Sequence, residues 1–278
     1  MNLKDSDKKF YIRAKDFLRE NSPEFITPEI IESYMSLPSP LMSKFTLNDL
    51  FKRILESAQN ANMKSTVIGS SINGVSSLGA ILNNFDSKYV VMTYSGNESK
   101  LLDDIIAKLK PKGRIRKEKQ SIWPKYCKTI TSSAVFMVQF ESVEQFFDWI
   151  NKYYNDEKSI AILPLLLELE IYGIGFSLAC DFLKELGFLN YGKPDVHIKD
   201  ILMAYNFINK NASNYEILKT IIRIAKNSDI TPFAIDKLLW LIGSGYFYNH
   251  KNLGNSGYIP SMKQKFIEHC NCLTTAST

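Results

Sequence analysis

The sequence predicts a mainly α-helical fold with a mixed α/β N-terminal portion that carries a few-stranded sheet or hairpin. Three observations lead there. From Ser142 onward, apolar residues recur at helical spacing between clear start and stop signals. Upstream, two short segments rich in β-branched and aromatic residues, Lys88–Tyr94 and Ser133–Phe140, have strand character. No repeat of fixed period runs through the chain, which argues against a solenoid. The expected division is a mixed portion with a basic insertion over 1–141 and a helical portion over 142–278. The first helix of the helical core is expected at 45–63.

Composition narrows the classes. With 278 residues, 45% hydrophobic and 23% charged, the chain can bury a real core in one or two domains. Its longest apolar runs, such as Ile160–Leu167, are too short to cross a bilayer, and that one contains Pro164. The N-terminal residues are charged and lack the apolar core of a secretory signal, so a cytoplasmic protein is expected. Cys127, Cys180, Cys270 and Cys272 show no disulfide-framework spacing, which fits a reducing compartment. His269, Cys270 and Cys272 are only part of a ligand set, so no metal site is expected.

The elements follow in order. Residues 1–44 read as helical pieces broken by Pro23, Pro28, Pro38 and Pro40. Thr46 opens an amphipathic helix in which Leu47, Leu50, Phe51, Ile54, Leu55 and Ala58 share a face. Thr46 and Asp49 form a capping-box pattern there, and the helix ends in the polar run Glu56–Asn62. Val67–Asn84 is rich in Ser, Gly and Asn and fits a loop with a short helix. Gly69, Gly74 and Gly79 match neither a dinucleotide nor a phosphate-loop pattern. A helix around Leu101–Leu109 lies between the two strand-like segments. Lys108–Lys128 then holds nine basic residues against Glu118 alone, in a chain of net charge only +5. With Trp123 and Tyr126 beside it, this stretch suits a phosphate backbone, and it also fits a solvated basic loop.

In the helical portion, Ser142 caps one helix and a second runs from about Ile160 to Glu170. A third, Phe176–Leu186, stops at Gly187. Asp195 opens a fourth that ends near Ile208, and Ser213 with Glu216 caps a fifth. Thr231-Pro232 starts a sixth, closed by Gly243.

Two segments carry chemistry. In Gly173-Ile174-Gly175, two glycines join consecutive helices. Their backbone amides and those of the following turn can converge on an anion, with Ile174 turned inward as an apolar pin. The same residues also fit a plain helix–turn–helix connection. Farther on, Gly187–Leu202 places Asp195 directly after Pro194 at a helix start. A carboxylate there serves as an N-cap, as a catalytic group, or as both.

Taken together, Gly-Ile-Gly-x-x-x-Ala, an apolar helix and Pro194-Asp195-Val196-His197 resemble the helix-hairpin-helix (HhH-GPD) DNA glycosylase superfamily over roughly Ser142–Gly245. The resemblance implies a helix-hairpin-helix glycosylase fold and base excision with Asp195 as the catalytic carboxylate. Breaking an N-glycosidic bond builds positive charge on the sugar, which a carboxylate in a water-poor site stabilises. It implies a DNA-phosphate grip by Gly173, Ile174, Gly175 and Ser177, with a monovalent cation on hairpin carbonyls as a further option. Gln59 and Asn60 would enter the duplex beside the vacated base, and Arg114, Arg116 and Lys117 would extend the footprint. Tyr172, Phe176 and Trp240 are candidate base-pocket aromatics, with Tyr246 and Tyr248 as further ones.

Ser177 is the departure. Members that cut the strand carry a lysine there, 18 residues before the aspartate. Its absence implies a monofunctional, water-using enzyme that leaves an abasic site, unless Lys184 or Lys193 takes over as in a bifunctional glycosylase/lyase. Only Cys270 and Cys272 lie near the C-terminus, so no four-cysteine iron–sulfur loop is expected. The expected partner is double-stranded DNA, bound by a monomer. The base stays open among an alkylated or oxidised purine, a mispaired base, and a modified base of foreign DNA, which would suit anti-phage defence. A non-catalytic DNA-binding module is the rival reading.

Overall fold

The computed structural model describes residues 3–36, 45–60, 66–247 and 257–275. Its chain forms two compact units. One combines Met1–Ser39 with Leu183–Thr278, and the other is Pro40–Phe182.

In the first unit, α1 (Leu3–Asn21) and α2 (Pro28–Met35) come from the N-terminus. The C-terminal part supplies α11 (Val196–Ala204), α12 (Asn214–Asn227), α13 (Pro232–Ser244) and α14 (Met262–Thr275). α13 is the axis. It packs on α1, α2, α11, α12 and α14, and its sequence explains why. Phe233, Ile235, Leu238, Leu239, Leu241 and Ile242 are all buried, so apolar residues surround the helix, as a central helix requires. Thr231 caps it with Pro232 in the first turn, and Gly245 closes it with φ +71°. The stop is thus Gly245 rather than Gly243. A Cβ on Gly243 would come within 2.5 Å of His197 Cβ, so that glycine is spent on close packing with α11. At the edge of the core, fully buried Asp7 of α1 accepts two bonds from Arg223 (3.0 and 3.1 Å) and one from Asn227 (2.6 Å). These bonds fasten α1 to α12.

The second unit holds α3 (Leu47–Ala58), α4 (Thr66–Ser71), a 3-10 helix (Val75–Ala80), α5 (Ser87–Tyr94), α6 (Glu98–Leu109), α7 (Ile122–Met137), α8 (Val143–Tyr154) and α9 (Leu163–Glu170). α10 (Phe176–Glu185) follows and runs past the division. Here α7 is the axis, packed on α3, α5 and α6. Tyr126 donates from its buried hydroxyl to the Leu55 carbonyl at 2.9 Å, tying α7 to α3.

The expected strands are not there: no sheet occurs among the described residues, only an isolated bridge between Tyr246 and Tyr258. Lys88–Tyr94 lies in α5, capped by Asp86, with Val90 and Tyr94 buried one turn apart. Ser133–Met137 is the last part of α7, where Cys127, Ile130, Ala134 and Met137 keep helical spacing. Tertiary packing on a 3.6-residue period overrides the β preference of the valines and threonines. Trp123 and Tyr126, expected beside the basic stretch, are instead core residues at 5% and 3% exposure.

Candidate functional site: a helix-capping aspartate and a glycine hairpin

Asp195 belongs to the first unit. It is the N-cap of α11, with extended backbone (φ −97°, ψ 177°), and its Oδ1 accepts the Ile198 amide at 3.0 Å. Its Oδ2 accepts no hydrogen bond among the described residues. Capping thus fixes the carboxylate's direction through one oxygen.

The loop that delivers Asp195 is fastened to α13. Phe233 donates its amide to the Leu189 carbonyl at 2.9 Å. Lys193 donates its amide to Asp236 Oδ1 at 3.1 Å. A Cβ on Gly192 would come within 2.9 Å of Ile221 and 3.3 Å of the Pro232 carbonyl, so only glycine lets the loop lie this close. Asp236 also accepts from Lys184 Nζ at 2.7 Å, and both side chains of that pair are at most 5% exposed.

Electrostatically, burial pushes the Asp195 carboxyl above the ordinary carboxylate range. The nearby Asp236 carboxylate adds to this. The Ile198 amide, His197 and Lys193 act the other way.

The hairpin belongs to the second unit. The Ile174 amide bonds to the Ile171 carbonyl at 3.2 Å, and Gly173 turns the chain with φ +84°. A Cβ there would collide with Thr129 Oγ1, so glycine is required twice over. Gly175 precedes α10 and accepts the Leu178 and Ala179 amides at 2.9 and 3.0 Å. Those two amides are thus satisfied within the turn that opens α10. Ile174 is buried, as an apolar pin should be. The hairpin is also pinned to α7: Tyr172 donates its amide to Ser132 Oγ at 2.9 Å. Ser177 sits one residue into α10, partly exposed.

Of the remaining candidates, Lys117 and Tyr172 line one cavity of the second unit. Gln59 caps the end of α3 and Asn60 follows, both partly buried, while Asn62 lies outside the described residues. Arg114, Arg116 and Lys117 are exposed on the irregular segment before α7, and Lys117 pairs with Asp103 at 2.7 Å. Tyr172 is 39% exposed, whereas Phe176 is 3% exposed and has little surface to offer a base. Trp240 is partly buried on α13, Tyr246 is exposed, and Tyr248 lies outside the described residues. Sequence reading missed Asp236. It sits in an apolar helix face that reads as core, and its partners Lys184 and Lys193 are 52 and 43 residues away.

The described residues contain no cluster of His, Cys, Asp or Glu able to hold a metal. The side chains of Cys270 and Cys272 lie outside them. Cys127 is buried, and that burial pushes its thiol up to about 12, which makes it unreactive. No helix among the described residues is long and apolar enough to cross a membrane.

No family model matches the chain. It is 34% identical over 84 residues to an 8-oxoguanine DNA glycosylase/AP lyase of Thermoplasma volcanium, covering 29% of this chain and 41% of that protein. It is 27% identical over 118 residues to an 8-oxoguanine DNA glycosylase/AP lyase of Korarchaeum cryptofilum, covering 40% of this chain and 55% of that one. The chain thus spans about half the length of the curated relatives it matches. Among solved structures, its fold is similar to the Methanocaldococcus jannaschii 8-oxoguanine glycosylase/lyase, crystallised with a 15mer DNA containing 8-oxoguanine. The TM-score is 0.50 at 17% identity, over 84% of this chain and 96% of that one. The chain is thus similar over part of its length to two archaeal 8-oxoguanine DNA glycosylase/AP lyases, and its fold is similar to that of a third.

Proposed function

We propose that the protein is a DNA glycosylase that removes an oxidised purine from duplex DNA by hydrolysis and leaves an abasic site. The observation that carries this reading is Asp195, whose cap bond holds Oδ1 and leaves Oδ2 for the reacting sugar. Flipping the nucleotide exposes its glycosidic bond, and the ionised carboxylate stabilises the cationic sugar as the base departs. The same carboxylate orients the water that attacks C1′ and accepts its proton. The hairpin amides and the basic segment hold the backbone during these steps.

The choice of an oxidised purine rests on the names of the relatives. The choice of hydrolysis rests on Ser177, which has no amine to form a Schiff base. Lys184 is a poor substitute because its ammonium is buried against Asp236 at 2.7 Å, and an ion-paired ammonium is not a nucleophile.

The test is release of free base from duplexes carrying 8-oxoguanine, other oxidised purines, alkylated purines and mismatches. Wild type should release an oxidised purine. Asp195→Asn should bind the same duplex and release base at least about a hundred-fold more slowly. Binding without release from every duplex in the set would favour the non-catalytic module.

A further inference from the structure

The second unit contains a cavity of about 620 Å³ to which Asp195 contributes no wall. Its walls come from the first turn of α6, the basic segment before α7, the start of α7, and Tyr172 at the hairpin's entrance. Four lysines line it, Lys117, Lys119, Lys125 and Lys128, against two carboxylates, Glu98 and Asp103. The carboxylates offset two of the four positive charges, which leaves an excess of two. Glu98 accepts from Thr131 Oγ1 at 3.1 Å, and Asp103 pairs with Lys117. Lys119 and Lys125 are exposed and form no ion pair among the described residues. Their charge is therefore available to an anion entering the cavity.

The opposite requirement, a flat apolar surface, is met beside them. Tyr172 is 39% exposed, and Lys128 Nζ lies 4.1 Å from its ring centroid. That ammonium covers one face of the ring, so a base stacks on the other face or displaces it. Leu102 and Pro124 add apolar wall. A smaller hollow of about 270 Å³ shares Glu98, Lys128 and Tyr172. Uncompensated lysines next to an exposed aromatic, in a hollow of ligand size, form the combination that holds an unpaired nucleotide. The phosphate meets ammonium groups while the base stacks.

We propose that this cavity is a nucleotide-binding site, with the phosphate on Lys119 and Lys125 and the base against Tyr172 and Lys128. It is independent of whether Asp195 removes a base. Two sources share the chemistry: a nucleotide within single-stranded DNA, and a free nucleoside monophosphate.

The test is photocrosslinking of the whole chain to (dT)8 carrying one 5-iodo-2′-deoxyuridine, and separately to 5-iodo-dUMP, with the adduct located by peptide mass spectrometry. The expected adduct is on the peptide containing Tyr172. It should persist in Asp195→Asn and fall at least ten-fold in Lys119→Glu/Lys125→Glu, whose exposed positions leave the core intact. Circular dichroism should confirm that the double variant is folded. An adduct with the oligonucleotide alone identifies strand DNA as the occupant, and one with 5-iodo-dUMP identifies a free nucleotide. No adduct at Tyr172 with either probe, or an adduct untouched by charge reversal in the folded variant, overturns the site. Absence of base release by wild type would sink the glycosylase reading and leave this one standing.

Discussion

Asp195 concentrates the functional demands at the scale of a single residue. Its carboxyl is held above the ordinary range by burial and then by Asp236, against the Ile198 amide, His197 and Lys193. Lys184 bears on it through Asp236. In the proposed reaction the ionised form does the work, so base release should fall as pH drops through a value above that of a free aspartate. Asp236→Asn removes a like charge and should move that acidic limb to lower pH in a pH–rate profile. The stability linkage has the opposite sign from that of a salt-bridged aspartate. A folded-state pKa raised above the unfolded one penalises the folded state at neutral pH, and the penalty disappears as pH falls below both values. Asp195→Asn keeps a capping side chain and removes the charge. It should therefore raise Tm at neutral pH, measured by calorimetry, while base release drops about a hundred-fold or more. Gly173→Ala combines left-handed backbone with a collision at Thr129 Oγ1. It should weaken duplex binding at least ten-fold in a titration at fixed salt.

Elements show how far sequence alone reaches. The caps were legible because they are local. Thr46 with Asp49, Ser213 with Glu216, and Thr231 with Pro232 start helices where the residue pattern places them. Thr46→Ala should cost about 1 kcal/mol, read from denaturant midpoints. The hairpin and Asp195 were legible for the same reason, since each is a short run of residues with a backbone requirement. The helices α5 and α7 were not. Their strand-like segments are too short to reveal a period on their own, and only packing of Val90, Tyr94, Ala134 and Met137 decides it. Asp236 was hidden for a different reason: nothing within α13 marks a carboxylate whose partners come from α10 and the loop before α11.

Across the whole molecule, the chain returns on itself. Residues 1–39 complete the unit built by 183–278, around a core no local pattern could assign. The Asp7–Arg223–Asn227 cluster joins chain segments more than 200 residues apart. Asp7→Ala leaves a partly exposed guanidinium without its carboxylate. It should destabilise by about 2–3 kcal/mol, less than the loss of one member of a fully buried pair, as a lower chemical-denaturation midpoint would show. Charge is likewise a property of the whole. A chain of only +5 concentrates its basic residues before and within α7, so duplex affinity should fall steeply as salt rises.

The reaction proposed for this protein is hydrolytic base removal by a chain with serine at the hairpin position. It is tested most directly by a single-turnover reaction on an end-labelled duplex containing 8-oxoguanine, scored in the same tube for free base and for strand breaks. Hydrolysis should give free base with the strand intact until alkali is added, and no covalent adduct on borohydride treatment. Strand breaks that keep pace with base release, together with a borohydride-trapped protein–DNA adduct, would contradict it.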